Sequence, residues 1–442
     1  MVEKIVSKFG GSLLYDKNSF LEAAKYIVDL TQKYKVISVV SAPKGVTDVL
    51  TKLYKNKKDK VILNLKNRYK KIIQGIRNLS IKETAFKLLN EELEKLKTPI
   101  NYDQFISTGE NHSGIILSHF LKYLGCNSIY MDGYKAGIIV DSRGVIKEEL
   151  SIKNIKENLL HNLSKGYAPI VGGFVGKQLE TGEYKLLGRN STDVTGAIVA
   201  AAMKAKYEII KDVPGIYIVE PEYGKTNIIS RLSYDEAGEL TWRGIEVIHP
   251  IAIKIAKAYN IPIQVKTIKS KTSTLVCNET ATTYKKPIAG ISARKFYLLT
   301  IYDEFMNTPE GRGYLSNVTS ILSNYGIDIY DVATSANEIS LTINLNHRFI
   351  MKEKIELIIE RDLKRYGYKP KVKGGSVGAL SVTGEVLKNN VSTISRLINV
   401  LNKSKINLFM ISKSLNSSNI ILIIDENKLK NAVNIIYREF FV

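Results

Sequence analysis

The chain has 442 residues, 44% of them apolar, enough for two or three domains with ordinary cores. No apolar run approaches the roughly 20 residues needed to span a bilayer, and two cysteines, Cys126 and Cys277, make neither a disulfide framework nor a metal cluster. The formal charge of +21 is concentrated in residues 51–100, with 14 Lys/Arg against 5 Asp/Glu; that stretch is lysine-heavy and carries no nucleic-acid motif, so a solvated basic face is the simpler reading and no nucleic-acid or membrane partner is expected. Glu3 and Lys4 stand where a signal peptide would build its apolar segment, so a reducing, cytoplasmic setting is expected.

From the N-terminus, EKIVSKFGG reads as a strand that ends in two glycines. SFLEAAKYIVDLTQKY follows with its apolar residues on one helical face, and VISVVSAP is a second strand. Residues 46–97 read as helices, including a basic pair, YKNKKDK and KNRYKKIIQGIR. QFISTGE (104–110) reads as another strand and turn, followed by a helix HSGIILSHFLKYLG with Gly125 as its C-terminal stop. APIVGGFVG (168–176) is a buried strand ending in glycines, VTGAIVAAAMKA a small-residue helix, and YEIIKDVPGIY a strand and loop. This alternation predicts a mostly parallel three-layer α/β/α sheet. Ligands in such sheets sit beyond the carboxyl ends of the strands, and the conspicuous loops all follow predicted strands.

The polar stretch KSKTSTLVCNETATTYKKP near 270–288 marks a boundary. Beyond it the chain repeats itself at an offset of 79: residues 315–337 align with 394–416. Ile327, Ile329 and Val332 match Ile406, Leu408 and Ile411, and each copy continues into an alternating run, EISLTIN or NIILIID. Each copy reads as a small βαββ module with a final helix.

Three clusters carry chemistry. In KFGGS, the glycines leave backbone N–H groups open to an anion and Lys8 adds a point charge; a plain turn explains the glycines equally well. In LLGRNSTDVTGA, Arg189, Ser191, Thr192, Asp193 and Thr195 fall within seven residues at a helix start. Thr192 or Asp193 fits an N-cap, while Arg189 suits capture of a carboxylate or phosphate. In KDVPGIYIVEP, Asp212 and Tyr217 flank a Pro-Gly turn, which is either an ordinary type II turn or a nucleotide-binding loop. Glu110 fits a helix cap or the partner of an ammonium group.

Taken in order, KFGGS, SAPKGVTD, STGE, GGFVG, GRNSTDVTGA, KDVPGIY and the terminal repeat resemble the aspartate kinases of the amino-acid kinase family, which carry tandem ACT regulatory domains. The resemblance implies a kinase domain over 1–284 and two ferredoxin-like ACT modules over 285–374 and 375–442. It implies ATP-dependent phosphorylation of the side-chain carboxylate of L-aspartate, with ATP and Mg²⁺ as cofactors. Lysine or threonine would be a feedback effector in amino-acid biosynthesis, and the ACT modules would pair a homodimer or larger oligomer. Lys8 would neutralise the transferring phosphoryl group, with Gly10, Gly11 and Ser12 around it, and Asp193 would orient Lys8. Thr47, Glu110, Phe174, Arg189 and Thr192 would hold the amino acid. Lys211, Asp212 and Tyr217 would line the nucleotide, and Arg312, Gly313, Tyr314 and Leu315 would form the effector loop.

The chain departs from the family at Asn190 and Ser191, where glycines are common, and at Glu246, where many members carry a phosphate-binding lysine. Arg243 stands one turn from Glu246 as a substitute, and Glu220-Pro221-Glu222 is more acidic than usual. These departures keep two other readings open: a kinase for a different amino acid or small carboxylate, and a catalytically silent amino-acid sensor of the same fold.

Overall fold

The computed structural model describes residues 3–56, 58–188, 190–224, 226–242, 247–278, 287–344 and 355–442. The chain forms two compact units. The first spans Met1–Ile216, Ile228–Thr241 and Glu246–Glu279.

The strands of the first unit are β1 (Lys4–Phe9), β2 (Lys35–Val40), β3 (Ser128–Asp132), β4 (Ile139–Val140), β5 (Ala168–Gly172), β6 (Val175–Gln178), β7 (Tyr184–Leu186), β8 (Lys206–Ile210), β9 (Arg231–Ser233), β10 (Ile263–Lys266) and β11 (Thr274–Cys277). Eight of them form one sheet in the order β3-β5-β2-β1-β8-β10-β11-β9. The pairs from β3 to β10 are parallel, and β10–β11 is antiparallel. Buried β-branched runs such as Val36–Val40 suit a sheet covered on both faces. The chain winds outward from β1 through β2 and then returns to β8 on the other side of β1. This places a topological switch point between β1 and β8, where ligands gather in open α/β sheets. β4, β6 and β7 form a separate small sheet.

The helices of this unit are α1 (Lys17–Thr31), α2 (Val46–Lys55), α3 (Asp59–Ile73), α4 (Leu79–Lys95), α5 (Tyr102–Tyr123), α6 (Gly133–Ala136), α7 (Glu148–Ser164), α8 (Thr192–Met203), α9 (Tyr234–Trp242) and α10 (Pro250–Ala258). α1 and α5 pack on one side of the sheet, α7 and α8 on the other. The basic stretch YKNKKDK is not a helix of its own: α2 ends at Lys55 and α3 begins at Asp59.

The expected strand and turn at QFISTGE are not formed. Asn101 caps a single helix, α5, through its side chain to Gln104 N, and the helix runs on through Ser107-Thr108-Gly109-Glu110. Most of α5 from Phe105 to Leu121 is buried, because the sheet lies on one side and α2 and α4 on another. A helix buried all round shows no apolar stripe, so its β-branched residues and glycines imitate a strand end.

The second unit spans Tyr217–Asn227, Trp242–Ile245 and Thr280–Val442; the expected boundary stretch falls partly on 279–286, outside the described residues. Its strands are β12 (Gly290–Tyr302), β13 (Ile329–Thr334), β14 (Glu338–Ile343), β15 (Lys371–Thr383), β16 (Leu408–Ser412) and β17 (Asn419–Asp425). Its helices are α11 (Tyr314–Asn324), α12 (Ile355–Lys364), α13 (Val391–Lys403) and α14 (Leu429–Phe441). One antiparallel sheet runs β13-β14-β12-β15-β17-β16. The repeat is visible in detail: β13 and β16 each carry a bulge at the same repeat position, between Ile329 and Asp331 and between Leu408 and Met410. The structure adds a fourth strand to each copy. β12 and β15 pair along their whole length; Tyr297–Tyr302 also pairs with β14, and Val377–Thr383 with β17. Each long strand therefore serves one copy with one half and the other copy with the rest.

Candidate active site

Lys8 and Asp193 meet at the switch point. Alternation along β1 turns Lys8 toward the α8 face. Asp193 stands in the first turn of α8, where a carboxylate is favoured by the helix dipole. The Lys8 Nζ lies 2.7 Å from Asp193 Oδ1, with both side chains nearly sealed from solvent at 7% and 5% exposure. Lys211 Nζ is 3.8 Å from Asp193 Oδ2, and the His249 backbone N–H donates to the same oxygen at 3.1 Å. Burial pushes the Asp193 carboxyl up, but the two ammonium groups and the hydrogen bonds outweigh it and hold the group below the usual carboxylate range. One buried carboxylate thus gathers two lysines from different strand ends.

The glycines after β1 have separate reasons. A Cβ on Gly11 would stand 2.5 Å from Ala42 O, so Gly11 is there for contact with the end of β2. Gly10 N–H is already given to Ile210 O at 3.2 Å. A Cβ on Gly10 would meet only ordinary contacts, with Lys8 Nζ at 3.9 Å and Ser12 Oγ at 3.8 Å. The Lys8 ammonium and the Ser12 hydroxyl therefore lie side by side next to the bare Gly10 backbone. A one-turn helix over Gly11–Leu13 follows, and the N–H groups opening such a turn have no partner within it.

Glu110 faces the end of β2. Its Oε1 accepts from Ala42 N at 3.0 Å, while its Oε2 is buried without a hydrogen-bond partner. Burial raises its pKa to about 8, against the opposing pull of the Ala42 N–H. An unpaired buried carboxylate oxygen is costly and fits a cationic ligand group. The loop from β2 turns at Gly45, φ +80°, into α2, whose first turn holds Thr47, half-buried.

Across the sheet, β5 ends in Gly172, and the chain turns at Phe174, φ +72°. A bulky residue in the left-handed region is strained. Here Thr195 Oγ1 accepts the Phe174 N–H at 3.3 Å and Phe174 O accepts from Leu187 N at 2.9 Å, fixing the turn. Gly173 lets Thr192 close in, since a Cβ there would lie 2.5 Å from Thr192 Cγ2. The cap position of α8 belongs to Ser191, whose hydroxyl bonds Gly188 O at 2.7 Å, and not to Thr192 or Asp193. Asn190 adopts φ +61°, a conformation that explains why glycine suits that position and asparagine is tolerated.

Arg189, Arg243 and Glu246 lie outside the described residues. Asp212 is exposed on the loop after β8. That loop is not a type II turn centred on Pro-Gly, because Gly215 is not at positive φ; a Cβ on Gly215 would meet Thr274 Oγ1 at 2.6 Å. Tyr217 belongs to the second unit. In that unit Arg312, Gly313 and Leu315 are exposed at the start of α11, whereas Tyr314 is buried, stacked on Tyr368 at 4.2 Å and bonded to Asp303. Sequence reasoning missed His249. Its contribution to Asp193 is a backbone N–H, and the one local signal was His-Pro at the start of α10. Among the described residues no group of three or more His, Cys, Asp or Glu side chains is gathered to hold a metal ion.

Residues 3–267 match the amino acid kinase family, and residues 380–440 match the ACT domain. Aspartokinase 1, chloroplastic, of Arabidopsis thaliana is 27% identical over 463 aligned residues that cover 99% of this chain and 80% of the relative. The crystal structure of Clostridium acetobutylicum aspartate kinase is 26% identical, covers 99% of this chain and 100% of its own, and superposes with a TM-score of 0.85. E. coli aspartokinase III in complex with aspartate and ADP shares the fold, at 23% identity, full coverage of both chains and a TM-score of 0.79.

Proposed function

The chain belongs to the amino acid kinase family, and from that premise we propose that it is an aspartate kinase, transferring the γ-phosphoryl group of Mg-ATP to the side-chain carboxylate of L-aspartate. The observation that carries this reading is the pairing of Lys8, Asp193 and Lys211 beside the bare backbone of Gly10, with the unpartnered Glu110 Oε2 in the same unit. A carboxylate oxygen attacks the γ-phosphorus, the bond to the β-phosphate oxygen breaks, and 4-phosphoaspartate and ADP leave. The nucleophile is already ionised at neutral pH, so no general base is needed. The task is to bring an anion against a polyanion, and charge neutralisation is what lysines and backbone N–H groups supply.

In this reading Lys8, Gly10, Gly11 and Ser12 receive the phosphoryl group, and Lys211 and Asp212 face the nucleotide; Tyr217, which the resemblance assigns to the nucleotide, belongs to the second unit. Glu110 takes the substrate ammonium, Arg189 its α-carboxylate, and Thr47, Phe174 and Thr192 wall the pocket. Asp193 holds the two lysines and would help organise the magnesium-bound phosphates of the nucleotide, where Mg²⁺ would supply further charge neutralisation. The kinase domain covers 1–284. The ACT modules of 285–374 and 375–442 bind lysine or threonine through the Arg312–Leu315 loop and pair subunits in a cytoplasmic oligomer. Aspartate is favoured over other acceptors by the full-length likeness to aspartokinases.

The test is direct. Purified protein is incubated with Mg-ATP and aspartate, and the acyl phosphate is trapped with hydroxylamine. Hydroxamate formed with aspartate, and not with glutamate or without amino acid, is expected. Tight amino-acid binding with no turnover would overturn the reading in favour of a sensor.

A further inference from the structure

Tyr130 sits outside the pocket proposed above but touches both of the segments that shape it. It stands in the middle of β3, paired with Ile170 of β5, while Asp132 pairs with Gly172. Its ring lies on the backbone of α5 at Gly114, where a Cβ would stand 2.0 Å from two ring carbons. Its phenol oxygen lies over Gly172, 2.4 Å from the place of a Cβ. Both positions therefore exclude a side chain while the ring is there.

The phenol donates to Asn111 Oδ1 at 2.7 Å, and Asn111 Nδ2 donates to Glu92 Oε2 on α4 at 2.8 Å. Burial, and then the carboxylates of Asp132, Glu110 and Glu92, raise the Tyr130 pKa well above its ordinary value, so it remains a donor. Asn111 follows Glu110 directly, and Gly114 lies one turn beyond. Phe174 lies two residues past Gly172. One rigid aromatic thus contacts the helix that carries Glu110 and the strand that runs into the Phe174 turn. A tyrosine that merely fills the core accounts for the ring but not for the polar chain that ties it to the residue beside Glu110.

We infer that Tyr130 is a positioning residue: the Tyr130–Asn111–Glu92 chain sets the spacing between Glu110 and the Gly172–Phe174 turn, and with it the fit of the amino-acid substrate. The inference rests on the reading of Glu110 and Phe174 as walls of that pocket.

Two variants test it, Tyr130→Phe, which keeps the ring, and Asn111→Ala, which removes the acceptor. In each, KM for aspartate rises about tenfold, while kcat and KM for ATP change by less than about twofold. The double variant is no worse than Asn111→Ala alone, because that change already removes the bond that Tyr130→Phe removes. Gly114→Ala, which displaces the ring, raises KM further. Hydrogen exchange in segments 104–116 and 168–178 increases together in Tyr130→Phe. An unchanged KM in both single variants, with only a lowered melting temperature, overturns the inference. If the unmodified protein does not turn over aspartate, the activity reading fails on its own; the exchange experiment then decides, and absence of a joint change in the two segments overturns the clamp.

Discussion

The Lys8 ammonium and the Asp193 carboxylate lie 2.7 Å apart at 7% and 5% exposure, joining the end of the first strand to the start of a helix far along the chain. Removing either partner leaves a buried charge less compensated. Lys8→Ala is expected to lower kcat by about 10²–10³-fold, the scale for losing one preorganised donor to a developing anion. Asp193→Asn is expected to cost about 3–5 kcal/mol of stability as well, since it removes the carboxylate that pairs the buried Lys8 ammonium. Hydroxamate assays and urea melts of both variants check this; a fully active Lys8→Ala would remove the central role of that residue.

Gly10 and Gly11 are adjacent yet should respond differently. Gly10→Ala meets no close contact, so its melting temperature should hold while the added methyl, next to the Lys8 ammonium, lowers activity. Gly11→Ala drives a Cβ to 2.5 Å from Ala42 O and should destabilise the fold by about 1–3 kcal/mol. Thermal melts beside activity measurements separate the two, and equal melting losses would contradict the contrast between the two positions.

Glu110 gives a pH signature. Its pKa, raised by burial to about 8, leaves it largely protonated at pH 7 in the free protein. Only the ionised form pairs with a substrate ammonium, so KM for aspartate should fall as pH rises from 6 to 8. Binding at pH 7 should release a proton, seen by calorimetry in two buffers of different ionisation enthalpy. Glu110→Gln should raise KM by about 10–100-fold and flatten that pH dependence. The native state also holds more protons here than the unfolded chain between pH 4.5 and 8, so this group makes stability decline as pH rises through that window.

His112 acts in the opposite sense. It is fully buried beside Tyr69, with Nδ1 3.0 Å from the phenol oxygen, and burial lowers its pKa to about 4. The unfolded chain binds this proton first, so stability should be lost as pH falls from 6.5 toward 4, by up to about 3 kcal/mol from this residue. Urea melts at pH 7 and pH 5 should differ more for the unmodified chain than for His112→Phe.

The repeat cannot be cut at its midpoint. A chain stopped at Gly374 deprives Gly290–Phe296 of its partner along β15 and leaves a bare strand edge. Such a chain should self-associate, as read by light scattering, and a monodisperse fold unchanged from the full chain would refute the shared-strand account.

The sequence alone determined the parts governed by local spacing. The β1 strand with its glycines, the amphipathic α1, the small-residue α8 and the two repeat copies follow from periodicities of two and 3.6 residues that each segment carries by itself. KFGGS and Asp193 were legible as chemistry for the same reason. Only the tertiary structure decided that STGE lies within a helix, because burial on every side erases the stripe that would announce it. Only it placed Glu110 with one oxygen unpaired, gave Asp193 its two lysines and the His249 N–H, and divided β12 and β15 between the two copies. Those are relations between residues remote in the chain, set by which strands become neighbours, and no local spacing encodes them.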